Sequence, residues 1–159
     1  MVRNFINILN QIFQRLTSAF LYTLPLKAAI PFGNYLFYKY SFLNILKIIV
    51  FPVAIIEQSL PLGGLLFFLI LFAGLVRNPN IPYFVRYNAC QALLLDISLI
   101  IITYLLRILS ISSLGSFMYM LGAIIFIFIL CIFIYSISQC IYGVEPEIPF
   151  ISKSVRMQI

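Results

Sequence analysis

The sequence predicts an all-α integral membrane protein with four transmembrane helices, preceded by an N-terminal amphipathic interfacial helix. The 159 residues are 64% hydrophobic, their mean hydropathy is +1.12, and they include only 10 Lys and Arg and 4 Asp and Glu. So few charges leave too little polar surface for a soluble particle. Four apolar segments also approach the roughly 20 residues that cross a hydrocarbon core of about 30 Å.

Residues 1–22 are the predicted interfacial helix. Hydrophobic side chains recur on one face between Phe5 and Phe20, while Arg3, Gln11 and Arg15 lie on the opposite face. A helix with this pattern lies in the plane of a membrane surface. The helix resembles a targeting peptide in having arginines and no acid, but it is poor in serine and lacks a continuous apolar core. We therefore expect it to be retained.

Residues 23–39 are predicted to form an interfacial linker. Pro25, Pro31 and Gly33 interrupt this segment, and its tyrosines and lysines are typical of the lipid headgroup zone. We expect a short helix and a turn that lie against the bilayer.

The transmembrane domain is predicted over residues 40–143. Its four spans are placed at about 40–56, 60–76, 88–106 and 117–137. The link between the first two spans is so short that they must form an antiparallel hairpin, and Asn78, Pro79 and Pro82 mark a turn before the third span. Residues 144–159 would form a short tail.

The basic residues predict the orientation, because short loops rich in Lys and Arg stay on the side from which insertion occurs. Lys47 would lie just inside that side and Arg107 on the opposite side. The bases expected on the insertion side are Arg3, Arg15, Lys27, Lys39, Arg77, Arg86, Lys153 and Arg156. Both termini should therefore face the insertion side.

The third span carries an unusual set of polar residues. At 100° per residue, Asn88, Gln91, Ala92, Asp96 and Thr103 fall within one half of the helix circumference. Because lipid offers no hydrogen-bond partner, this strip must face other helices or water. Two interpretations remain open: the strip holds helices together, or it lines a hydrophilic path.

Asp96 needs a partner, a water-filled face or a proton. Lys47 enters the first span to a similar depth, which predicts a Lys47–Asp96 ion pair beside a kink at Pro52. The alternative is that Lys47 snorkels to the headgroups. Arg77 and Arg86 either anchor the loop to lipid phosphates, or, in the case of Arg86, guard a polar groove.

Several classes of function are disfavoured by the residue inventory. The chain has no His, its three Cys do not form a metal-ligand pattern, its four acids are widely spaced, and nucleotide-binding and hydrolase motifs are missing. We expect no catalytic, cofactor or metal site. The scattered bases also argue against nucleic acid as a partner.

The sequence around the third span resembles a known family. GLVRNP at 74–79 followed by VRYNACQALLLDI at 85–97, together with LPLKAAIPFGNYLF at 24–37, is similar to the twenty-kilodalton subunit family of the TIC translocon in the chloroplast inner envelope. The positions that match the family pattern are Arg77, Asn78, Pro79, Arg86, Asn88, Gln91, Ala92 and Asp96. Nuclear-encoded plant members carry a long transit peptide that this chain lacks, which suggests a plastid-encoded member or a cyanobacterial relative.

The resemblance implies a core TIC subunit that forms, or helps to form, the path by which precursor proteins cross into the stroma. Its implied partners are other TIC subunits, the outer-envelope TOC translocon, unfolded precursors and membrane lipids, with further copies of the chain as an additional candidate. Two alternatives remain: a small-molecule or ion transporter with a Lys47/Asp96 intramembrane site, and a purely structural assembly subunit.

Overall fold

The computed structural model describes residues 2–61, 63–109 and 115–159, which form helices joined by short turns. The α-helices are α1 (Val2–Leu21), α2 (Thr23–Ala29), α3 (Asn34–Lys39), α4 (Ile45–Ser59), α5 (Gly64–Leu71), α6 (Tyr83–Leu109), α7 (Gly115–Tyr142) and α8 (Ile151–Arg156). Two 3-10 turns, Ile30–Gly33 and Ser41–Asn44, follow α2 and α3, and a π-helical turn, Phe72–Val76, continues α5. Residues 110–114, within the link between the third and fourth predicted spans, lie outside the described residues.

Three described helices are long and apolar enough to cross a membrane: Ser41–Ser59, Tyr83–Ile108 and Phe117–Tyr142. They correspond to the first, third and fourth predicted spans, so the all-helical membrane class is confirmed. The second predicted span is shorter than expected. It consists of an eight-residue α-helix and a five-residue π turn, about 20 Å in total at 1.5 Å per residue.

The outward surfaces of these helices carry large apolar side chains. Phe51 on α4, Ile101 on α6 and Phe128 on α7 each expose more than half of their surface. An apolar exterior of this kind is stable against acyl chains, whereas in water it would promote association.

The centre of the fold is α2, which packs against α4, α6 and α7. Leu26 and Ala29 are fully buried, and Thr23, Leu24 and Pro25 are buried as well. Pro25 lies in the first turn of α2, where a missing N–H removes no helical hydrogen bond. The start of the segment predicted to be an interfacial linker is thus a buried helix of the bundle.

The 3-10 turn after α2 continues along the bundle. A Cβ built on Gly122 of α7 would lie 3.1 Å from the Phe32 carbonyl oxygen, and one built on Gly33 would lie 2.8 Å from the Phe126 ring. Gly122 therefore permits the turn to approach the backbone of α7. The chain between Tyr22 and Gly33 lies beside α6 and α7 and provides much of the contact between them.

Three parts of the chain meet at one end of the α6 and α7 pair. Arg15 of α1 donates to the Ile141 carbonyl oxygen at 3.1 Å, Tyr87 of α6 donates to the Pro146 carbonyl oxygen at 3.2 Å, and the loop before α6 lies at the same end. The final segment is folded onto this end, because Ile148 and Val155 are buried. In α1 the large apolar side chains are exposed, while Ser18 on its polar face is buried.

Candidate functional site

A buried polar cluster, called here the Tyr22 cluster, lies near the start of α6 and contains two residues of the family pattern. The Tyr22 hydroxyl lies 2.9 Å from both Asn88 Oδ1 and Gln91 Oε1 and shares its single proton between them. All three residues have no exposed surface. Cys140 of α7 adds a third contact, because its thiol lies 3.3 Å from Asn88 Oδ1. The cluster thus joins α6 to α7 and to the junction between α1 and α2.

Burial raises the pKa of the Tyr22 phenol well above its usual range. The hydroxyl therefore remains a neutral donor at physiological pH. A neutral donor suits two amide oxygens, which would repel a phenolate.

The amide nitrogens of the same two residues are also used. Gln91 Nε2 donates to the Pro146 carbonyl oxygen at 3.2 Å and to Ser152 Oγ at 3.0 Å, and Asn88 Nδ2 donates to the Phe84 carbonyl oxygen at 2.7 Å. Ser152 Oγ in turn accepts a bond from the Ile148 amide at 2.7 Å. The Gln91 side chain consequently fixes the final segment of the chain to α6.

These contacts decide between the two interpretations of the polar strip for its first half. Asn88, Gln91 and Ala92 face a closed interior instead of an open groove, and both amides bond to groups of the same chain. Thr103 bonds to the Leu99 carbonyl oxygen of its own helix at 2.8 Å. Within this chain the first half of the strip, Asn88 and Gln91, holds α6 against neighbouring segments.

Arg86 connects α6 to the preceding loop. Its Nε donates to the Val76 carbonyl oxygen at 2.9 Å, at the end of the π turn, and one of its terminal nitrogens lies 3.5 Å from the Ile159 carbonyl oxygen. Helix ends leave carbonyl groups without helical partners, and a guanidinium can satisfy them. Arg86 is thus directed at its own backbone, a role that sequence reasoning did not consider.

The other loop residues of the family pattern form a turn. Asn78 Oδ1 accepts a bond from the Asn80 amide at 3.0 Å, with Pro79 exposed between them. Arg77 is also exposed, and its guanidinium lies 5.9 Å from the Phe72 ring centroid. This turn allows the chain to reverse between the π turn and α6.

A second cluster contains three charged side chains: Lys27 of α2, Glu57 of α4 and Asp96 of α6. Lys27 forms an ion pair with Glu57, and each side chain is 21% exposed. Lys27 and Glu57 also interact electrostatically with Asp96, with opposite signs. Asp96 Oδ1 is buried and has no hydrogen-bond partner among the described residues.

The predicted Lys47–Asp96 ion pair is wrong. The Lys47 ammonium lies over the Phe37 ring at 4.5 Å, whereas Lys27 is the base near Asp96. The physical reason is the position of α2, which was expected at the membrane surface and instead packs against both α4 and α6. One signal was present in the sequence: Lys27 is the only charge in the apolar stretch 16–38.

The chain is similar to one family of known proteins over most of its length. A model described as "Chloroplast import apparatus Tic20-like" matches residues 8–155. The protein named TIC 20-v, chloroplastic, of Arabidopsis thaliana is 33% identical over 149 residues, which cover 91% of this chain and 70% of that relative.

Relatives outside plants are similar over the same share of this chain. A Tic20 family protein of Synechocystis is 31% identical over 149 residues, covering 91% of this chain and 92% of the relative. The Tic20 family protein Ycf60 of Porphyra purpurea is 33% identical over 152 residues, covering 91% and 75%. The matched region includes both polar clusters.

Proposed function

Because the chain belongs to the Tic20-like family of the chloroplast import apparatus, we propose that it is a core membrane subunit of the TIC translocon. In this role it forms, or helps to form, the path by which precursor proteins cross the plastid inner envelope into the stroma. The observation that carries the proposal is the family match over residues 8–155, which includes α2 and all three candidate spans. Its partners would be other TIC subunits, the TOC translocon and unfolded precursors.

We place any such path at the boundary of this chain instead of within it. A passing polypeptide exposes peptide groups that need water or polar partners. The buried amides of Asn88 and Gln91 do not supply them, because both already bond to groups of this chain. The path must therefore be completed by other subunits or by a second copy.

One groove at this boundary offers polar side chains at the end of the molecule opposite the Tyr22 cluster. It has a volume of about 360 Å³ and lies between the 3-10 turn after α2, the second half of α6 and the start of α7. Its lining includes the polar or charged residues Asn34, Tyr35, Thr103, Arg107 and Tyr119. We propose this groove as the place where a precursor first contacts the chain.

Site-specific crosslinking with a precursor stalled in transit tests the proposal. A photoreactive residue at Tyr35 or Tyr119, both more than half exposed, should crosslink to the precursor. The matched control is Phe128, which is equally exposed on α7 but outside the groove. Crosslinks to the precursor from all three positions, or from none, would contradict a path at this groove.

A second candidate function is a purely structural subunit that assembles the translocon while precursors pass elsewhere. The hydrogen bonds of the Tyr22 cluster favour it, because polar residues of the family pattern hold this chain together. In that case, the crosslinkers at Tyr35 and Tyr119 should reach neighbouring subunits and never the precursor. The transporter alternative loses its proposed site, since Lys47 lies over Phe37.

A further inference from the structure

The pairing of α4 and α5, called here the α4–α5 hairpin, buries few side chains against the rest of the molecule. Helix α4 packs chiefly against α2 and buries only Leu46, Val50 and Val53. Helix α5 contributes no buried side chain among its described residues. The hairpin is continuous with the rest of the molecule, called here the body, through the π turn, which packs against α6.

Apolar burial contributes little to this attachment inside a membrane. Lipid tails are as apolar as Val50 or Val53, so exposing these side chains to lipid has almost no hydrophobic cost. Packing and polar contacts must then hold the hairpin in place. The polar contact that joins α4 to α2 is the ion pair between Lys27 and Glu57.

The charges around this ion pair are unequal. One base, Lys27, pairs with Glu57, while a second acid, Asp96, lies on α6, which packs against the Lys27 helix α2. Asp96 Oδ1 is buried without a hydrogen-bond partner among the described residues. Glu57 belongs to the hairpin, whereas Lys27 and Asp96 belong to the body. If the hairpin leaves, Lys27 can turn to Asp96 and is not stranded as an isolated charge at high cost.

We propose that the Lys27–Glu57 ion pair is a latch that holds the α4–α5 hairpin against α2, and that Asp96 accepts Lys27 when the latch opens. Glu57 moves out with the polar end of the hairpin, beside Gln58 and Ser59. The Glu57 carboxylate already packs against Gly64 of that end, since a Cβ on Gly64 would lie 2.8 Å from Glu57 Oε1. This motion belongs to the chain itself and does not depend on whether precursors pass along it.

Distances between two spin labels test the latch in purified full-length protein reconstituted in lipid nanodiscs. Each label is attached to a cysteine introduced at an exposed position. One pair of labels is at Phe51 on α4 and Phe128 on α7, and the control pair is at Ile101 on α6 and Phe128. The exposed Cys131 is replaced by serine, while Cys90 and Cys140 are buried. The α4–α7 pair reports on the hairpin, and the α6–α7 pair shows that the body has folded.

We expect Glu57→Gln to enlarge the population with a longer α4–α7 distance relative to the parent protein, with the α6–α7 distance unchanged. Asp96→Asn keeps the latch and removes the second acceptor, so its α4–α7 distribution should match the parent or be narrower. The double variant, Glu57→Gln with Asp96→Asn, leaves Lys27 without an acidic partner. Its accumulation should therefore fall by more than the sum of the losses in the two single variants. An unchanged α4–α7 distribution in Glu57→Gln would overturn the proposal, and so would the same broadening in Asp96→Asn.

Discussion

At the residue scale, periodicity located the important polar positions of α6 but could not identify their partners. The sequence predicted that Asn88, Gln91 and Asp96 share one side of a helix and must avoid lipid. Which residues bond to them depends on how the helices pack. Tyr22 is one of ten tyrosines, and its neighbours in the sequence do not mark it as the partner of Asn88 and Gln91. Likewise, Lys27 and Lys47 are both single bases in apolar surroundings, and only the position of α2 decides which of them lies near Asp96.

The Tyr22 hydroxyl provides a test at this scale. Tyr22→Phe leaves Asn88 Oδ1 and Gln91 Oε1 without their shared donor, so we expect a loss of about 1 kcal/mol in stability, the usual range for such bonds between membrane helices. The midpoint of thermal unfolding in detergent measures it. Tyr38→Phe is the control, because Tyr38 is 92% exposed, and an equal loss in both variants would argue against the cluster.

At the scale of elements, the sequence correctly indicated the long helices and misjudged the segment between α1 and α4. The sequence predicts spans at residues 88–106 and 117–137, and α6 and α7 contain them and extend two to five residues beyond each end. Pro25, Pro31 and Gly33 predict a surface linker. Proline in a first helical turn and glycine beside a phenylalanine ring are equally compatible with a buried, broken helix, and short-range patterns do not separate the two cases.

The close approach of the 3-10 turn to α7 can be tested with one methyl group. Gly122→Ala places a Cβ about 3.1 Å from the Phe32 carbonyl oxygen, a backbone atom that cannot turn aside. Overpacking of this kind typically costs about 1 to 3 kcal/mol, measured as a lower unfolding midpoint.

Gly74→Ala is the matched control for that substitution. A Cβ at this position meets no atom within 4 Å, so the same added methyl group should leave stability unchanged or slightly raised. A similar loss of stability in both variants would show that the effect of Gly122→Ala does not come from the close approach of Phe32.

At the scale of the whole molecule, α6 and α7 are joined through α1 and α2, since both long helices pack against these two elements. The order of hydrophobic segments cannot reveal this arrangement, because hydropathy finds spans and is silent on what lies between them. The same architecture brings α1, the loop before α6 and the final segment to one end. Of the bases predicted on the insertion side, Arg3, Arg15, Arg77, Arg86, Lys153 and Arg156 lie in these three parts or at the start of α6, whereas Lys27 and Lys39 lie in α2 and α3.

Labelling from one side of the membrane tests that arrangement. Cysteines introduced at Asn80 and Met157, both exposed, should react with a membrane-impermeant maleimide from the same side. A cysteine at Phe117, near the start of α7, should react only from the opposite side. In intact plastids freed of the outer envelope we expect Phe117→Cys to react first, and the reverse order would place the termini outside the stroma.

The short helix formed by α5 and the π turn has a consequence for the surrounding lipid. Its apolar length of about 20 Å falls short of a hydrocarbon core of about 30 Å. A bilayer meets such hydrophobic mismatch by becoming thinner locally, at a fraction of a kcal/mol for each ångström. If this segment crosses the bilayer, the membrane should therefore be thinnest along this flank of the molecule.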